Sequence, residues 1–60
     1  MADESYRYAN DGKAWSQMDI EDLCFNLRHG GSVEEAAIVL RRAGTVEEVR
    51  LKARGLMLID

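Results

Sequence analysis

The chain has 60 residues, a formal net charge of −3, one cysteine and no proline. This length allows one domain at most, and the apolar content of 47% argues against global disorder. No apolar run approaches the roughly 20 residues that span a bilayer, and the acidic start lacks the apolar segment of a secretory signal. Cys24 cannot form an internal disulfide, and one cysteine with one histidine leaves too few ligands for structural zinc. We therefore expect a cytoplasmic protein without a metal or cofactor.

The last third of this acidic chain is basic. Residues 1–40 contain eight acids and three bases, whereas residues 41–59 contain two acids and five bases. The five bases are Arg41, Arg42, Arg50, Lys52 and Arg54. A local excess of positive charge of this kind indicates an anionic partner.

The first 14 residues are polar and have no helical periodicity. We interpret residues 1–14 as an N-terminal arm that is flexible or loosely docked, and residues 15–60 as the folded domain. If the arm is extended, Tyr6 and Tyr8 share one side of it and can lie on the domain.

A hydroxyl residue is followed three positions later by a carboxylate at three places in the chain. This spacing is the capping box, in which each side chain bonds a backbone N–H of the other residue at a helix start. The pairs are Ser16 with Asp19, Ser32 with Glu35, and Thr45 with Glu48. They predict three short helices, with Gly30, Gly44 and Gly55 at the ends and turns between them.

Apolar residues recur at helical spacing in each predicted helix. The expected core consists of Trp15, Ile20, Leu23, Leu27, Val33, Ala37, Leu40, Val49, Ala53 and Leu56. Short connections between short helices favour an all-α, compact three-helix bundle, in which helices two and three have a helix-turn-helix-like arrangement.

A family resemblance covers residues 15–56. It is carried by Trp15-Ser16, Asp19, Leu23, Gly31-Ser32, Glu35, Ala37, Leu40, Arg42, Val49, Lys52 and Leu56. These residues resemble a single Myb/SANT-like helix-turn-helix repeat, a homeodomain-like three-helix domain. The resemblance implies that the tryptophan lies in the core and that the third helix enters the major groove of DNA.

Two functional hypotheses follow, and neither involves an enzyme. In the first, a small regulatory module binds nucleic acid. Arg41 and Arg42 contact phosphates, Arg50 and Arg54 point to the groove, and Lys52 belongs to the same basic set. The acids Glu47 and Glu48, which begin the third helix, repel a DNA backbone, and Glu48 can instead pair with Lys52.

The second hypothesis is a protein-interaction or self-association module. Its surface consists of apolar residues that lie off the inward stripes, namely Phe25, Ile38, Val39 and Leu51. We expect the arm and the apolar tail of residues 56–59 to cover most of them and to leave Phe25 exposed. Cys24 lies on the inward stripe and His29 at a helix end, so we assign neither a catalytic role.

Overall fold

The computed structural model describes residues 4–60 as a bundle of three α-helices. They are α1 (Gln17–Arg28), α2 (Val33–Val39) and α3 (Val46–Gly55), with short 3₁₀ helices over Glu4–Tyr8 and Ala43–Thr45. No strand occurs between residues 4 and 60, and the predicted all-α three-helix fold is confirmed. The first three residues of the predicted arm lie outside the described range. No helix in that range is long and apolar enough to cross a bilayer.

The core lies where α2 packs against both α1 and α3. Its buried apolar residues are Leu23, Val33, Ala36, Ala37, Leu40, Val49 and Ala53. Trp15, Leu27, Val46, Leu58 and Ile59 are partly buried against this cluster. The inward stripes predicted from helical spacing are therefore confirmed for all three helices, and Ile20 is half-buried at the margin.

The predicted role of Leu56 is corrected. Leu56 is 38% exposed, and the core contacts of the tail come from Leu58 and Ile59 instead. The reason is the backbone at Met57, which has φ of 61° and turns the chain back after α3. This reversal lets the Leu58 N–H donate to the Ala53 carbonyl at 2.9 Å and brings the next two side chains onto the bundle.

The first two predicted N-caps are present. Ser16 and Asp19 form a reciprocal capping box, with both bonds between side chain and backbone at 3.1 Å. The Ser32 hydroxyl accepts from the Glu35 N–H, also at 3.1 Å. Each hydroxyl satisfies an N–H that otherwise has no partner inside its helix.

The third predicted cap is wrong. Thr45 has φ of −128° and ψ of 47°, and its side chain makes no capping bond. Its hydroxyl lies 3.4 Å from both Asp11 Oδ1 and the Arg42 carbonyl oxygen. The 3₁₀ helix over Ala43–Thr45 takes Thr45 out of the extended conformation that a capping residue needs, so the hydroxyl faces the N-terminal segment.

All three helices end in the same hydrogen-bonding pattern. After α1, Gly30 has φ of 89° and the Gly31 N–H donates to the Asn26 carbonyl at 2.8 Å, as in a Schellman motif. This confirms the predicted role of Gly30. After α2, Arg41 takes the left-handed position with φ of 60°, and the Arg42 N–H donates to the carbonyl of residue 37 at 2.7 Å.

After α3 the left-handed residue is Met57, so Gly55 is the last helical residue and not the stop that the sequence predicts. A left-handed residue with a Cβ is strained by about 1–2 kcal/mol. Met57 is also 90% exposed and contributes little packing. We expect Met57→Gly to raise the free energy of unfolding by up to about 1 kcal/mol, because glycine adopts this conformation without strain.

Urea unfolding followed by circular dichroism measures this effect, with Met57→Ala as the matched control. Alanine removes the same side chain but keeps the Cβ, so it should bring no gain. An equal gain in both variants would mean that the side chain, and not the backbone conformation, is the source of the strain.

The N-terminal segment packs on the turn between α2 and α3. The Asn10 N–H donates to the Arg41 carbonyl at 2.8 Å, and the Asn10 side-chain amide donates to the Leu40 carbonyl at 2.9 Å. Asp11 accepts from the Gly44 N–H at 3.2 Å. A Cβ at Gly44 would overlap the Asp11 carboxylate, so a larger residue here would displace the Asp11 side chain.

Candidate functional site

Arg42 is fully buried, although it belongs to the predicted phosphate-binding set. Its guanidinium donates to the Ala14 carbonyl at 3.2 Å, to Asp19 at 3.3 Å and to Glu48 at 3.4 Å. Its Nε is buried without a hydrogen-bond partner. Because Arg42 is fully buried and its two terminal nitrogens donate within the bundle, we remove Arg42 from the phosphate-binding set.

Trp15 covers the same guanidinium. The Arg42 Cζ lies 4.3 Å from the centre of the indole ring, within cation–π range. The indole N–H donates to Glu48 at 3.2 Å, so Glu48 bonds both members of the stacked pair. We call Trp15, Asp19, Arg42 and Glu48 the Arg42 cluster. It ties the start of α1, the end of α2 and the first turn of α3 to one another.

The surroundings of Asp19 favour its ionised form. Partial burial opposes its ionisation, but hydrogen bonds from Ser16 and Arg42 outweigh that effect and hold the pKa of Asp19 below its ordinary value. The folded state therefore favours the ionised carboxylate. This contribution to stability is complete above the unfolded-state pKa of about 3.9 and is lost as pH falls through the lower folded-state pKa.

We expect stability to fall below about pH 4 partly through Asp19. In Asp19→Asn this part is absent, so the difference in urea midpoint between wild type and variant should shrink from pH 6 to pH 3. Asp22→Asn removes the same charge from an exposed position of α1 and controls for net charge. If the difference between wild type and Asp19→Asn stayed constant across this range, Asp19 would not be an acid-sensitive contact.

Arg50 is neutralised by two acids. Its guanidinium bonds Glu34 of α2 and Glu47 of its own helix, both at 3.2 Å, and its side chain is 33% exposed. Bonds to Glu47 and Glu34 raise the pKa of Arg50. The pKa of Glu34 is lowered by its own backbone N–H and by Arg50. The predicted groove-facing charge is thus held in an ion-pair bridge between α2 and α3.

The remaining three predicted bases are dispersed. Arg41 is exposed on the turn after α2, with its Cζ 5.4 Å from the centre of the Tyr6 ring. Lys52 is half-buried, with its Nζ 5.7 Å from the centre of the Trp15 ring, and does not form the predicted pair with Glu48. Arg54 is exposed and makes no ion pair with an acid of residues 5–60. Because Arg42 is buried and Arg50 is paired with two acids, the five bases do not form one free cationic surface.

The four predicted interface residues are all exposed. The exposed fractions are 63% for Phe25, 44% for Ile38, 55% for Val39 and 63% for Leu51. The expectation that the arm and the tail cover most of them is wrong. The N-terminal segment contacts the α2–α3 turn instead, and the tail packs through Leu58 and Ile59.

Met18 is another apolar residue that helical spacing places off the inward stripe of α1, and its predicted outward position is confirmed. Met18 is 71% exposed and lies two turns before Phe25 on the outer side of α1. Its spacing of seven residues from Phe25 places both side chains on one face of the helix.

The part of the chain that the structure describes has no pocket and no group of three or more potential metal ligands among its histidines, cysteines and acids. Cys24 is half-buried and free.

Comparisons with known proteins identified no relative. A scan against protein-family models, a search of curated proteins and a search of solved structures each found no match. The resemblance to Myb/SANT-like repeats therefore stays a prediction that depends on the residues quoted above.

Proposed function

We propose that this protein is a small non-enzymatic interaction module, in which a rigid three-helix scaffold presents apolar side chains to a protein partner. The observation that carries this proposal is the exposure of Phe25, Ile38, Val39 and Leu51, each between 44% and 63%. Exposed apolar side chains that form a contiguous patch are typical of interaction surfaces.

The position of the Arg50 bridge supports a continuous surface over α2 and α3. Arg50 reaches across to Glu34, so the outer sides of the two helices are neighbours there. Ile38 lies one turn after Glu34, and Leu51 follows Arg50 directly in α3. Apolar side chains around a bridge whose cation is already paired suit a partner that contributes apolar contacts.

Electrostatics favour this function over nucleic-acid binding. Of the five bases that the first hypothesis requires, Arg42 is buried and Arg50 is paired with two acids. Glu47, at the start of α3, has a side chain that is 82% exposed and would face a phosphate backbone. Affinity for DNA depends on free cations that replace condensed counterions, and few remain on this helix.

Site-specific photo-crosslinking in cells that make the protein tests the proposal. A photoreactive side chain at Val39 or Leu51 should yield a discrete protein adduct, identified by mass spectrometry. The same side chain at Lys13, an exposed polar position away from the helices, is the control and should yield none. Absence of any adduct at both apolar positions would contradict the proposal.

A titration with a DNA duplex tests the competing hypothesis of nucleic-acid binding. We expect no salt-sensitive binding to a generic DNA duplex at low ionic strength. Binding that weakens with salt and is reduced by Arg41→Ala and Arg54→Ala, in a protein that gives no crosslinks, would instead establish the nucleic-acid function.

A further inference from the structure

The outer face of α1 has acids before Phe25 and bases after it, at matching distances along the helix. Glu21 and Asp22 lie four and three positions before it, and Arg28 and His29 lie three and four positions after it. All five side chains are exposed. Because a helix turns by about 100° per residue, Glu21 and Arg28 share one flank of Phe25. By the same rotation, Asp22 and His29 share the other flank.

We propose that α1 is a self-association helix that pairs antiparallel with α1 of a second copy, about a two-fold axis at Phe25. This proposal rests on the proposed interaction function and names the partner of one of its faces. In a two-fold antiparallel pair, each side chain faces one on the same flank at the opposite distance from the axis. Glu21 then faces Arg28 of the second copy, and Asp22 faces His29 of the second copy.

Charge complementarity argues for a second copy over an unrelated partner. Within residues 5–60, neither Glu21, Asp22 nor Arg28 makes an ion pair. The surface over α2 and α3 differs, because Arg50 satisfies its acids internally there. The same face of α1 thus supplies both the acids and the bases that complement them in a second copy.

The apolar centre of this face is exposed, and its rings are held in place. Phe25 is 63% exposed, and its ring stacks on the His29 ring with centroids 4.0 Å apart and an interplanar angle of 22°. The His29 Nδ1 lies 2.8 Å from the Phe25 carbonyl oxygen, which holds the ring at the helix end. Met18, 71% exposed, extends the apolar strip by two turns and would lie against the second copy's Gly30-Gly31 turn.

One helix face buries less surface than the ~800 Å² per partner of stable complexes, so the pair should be weak, with a Kd on the order of 100 µM. The helix dipole favours the same charge order within a single helix. The experiment must therefore measure association and not helix stability.

Sedimentation velocity between ~10 µM and ~1 mM, bracketing the expected Kd, should show a weight-average sedimentation coefficient that rises toward that of a dimer. Phe25→Asp should abolish this rise. Met57→Asp is the control, because Met57 is 90% exposed and apolar but lies after α3, outside both proposed surfaces, and it should leave the rise unchanged. A wild type that remains a monomer throughout, or a rise that Phe25→Asp leaves intact, overturns the proposal.

A charge exchange tests the register. Glu21→Arg and Arg28→Glu should each abolish self-association, because like charges then face each other across the axis. An equimolar mixture of the two should associate again, since the two reversed charges face each other and so do the two unchanged ones. If the mixture forms no species heavier than the monomer, the proposed pairing is overturned. The changed positions are exposed, and unchanged helical circular dichroism verifies the fold.

The outcomes separate this inference from the proposed function. A monomeric wild type that still gives a discrete crosslink at Val39 or Leu51 overturns the self-association helix alone. A monomeric wild type without crosslinks at these positions overturns both.

Discussion

Arg42→Ala should destabilise the protein by about 3 kcal/mol, because it removes the cation that a buried cluster encloses. The truncation leaves a cavity beside Trp15 and takes away the donors to Ala14, Asp19 and Glu48. A domain of this size has a total stability of only about 3–9 kcal/mol. We therefore expect the melting temperature to fall by more than ~10 °C and the Trp15 fluorescence to shift to the red.

The matched control is Arg54→Ala, which removes the same side chain from an exposed position of α3 and should change stability by no more than about 0.5 kcal/mol. Arg42→Met separates packing from charge. The side chains of Asp19 and Glu48 are 20% and 43% exposed, so water can solvate them once the cation is gone. Methionine should therefore recover part of the loss. If Arg42→Ala and Arg54→Ala had the same melting temperature, the Arg42 cluster would not stabilise the fold.

Leu23→Ala should cost about 2–5 kcal/mol, because it empties the centre of the apolar core. Leu23 is fully buried and is the α1 residue that packs in the core with Val33, Ala37 and Val49. Little of the resulting cavity can close, since α2 already carries alanines at its inward positions. Urea unfolding at neutral pH measures the loss.

Met18→Ala is the control on the same helix. Met18 is 71% exposed, so its truncation should change stability by no more than about 0.5 kcal/mol. Equal losses in both variants would show that α1 does not present Leu23 to the core in solution.

Local patterns determined most of the fold. Helical spacing of apolar residues predicted which sides of α1, α2 and α3 are buried, because side chains three and four positions apart share a face. The Ser16 and Ser32 caps and the left-handed Gly30 were also predictable, since each depends on contacts within a few residues. The same spacing predicted that Phe25, Ile38, Val39 and Leu51 lie off the core.

Tertiary contacts decided what the basic residues do. Arg42 bonds residues 23 and 28 positions away, and these partners cannot be identified from local spacing. The backbone after α2 does indicate that Arg42 turns inward, because the residue that follows a left-handed helix end packs back on the helix. Arg42 occupies this position after α2, and Leu58 occupies it after α3.

The same distinction explains the failed third cap and the uncovered apolar surface. The Thr45 hydroxyl faces Asp11, 34 positions away, so a contact from outside its own helix displaced the local one. The segment that was expected to cover the outer faces of the helices is held at the α2–α3 turn by Asn10 and Asp11. Sequence by itself determined which side chains point away from the core, because that depends on helical periodicity. Only the tertiary structure decided which of them stay exposed and which cation is enclosed, because both depend on contacts between segments that are distant along the chain.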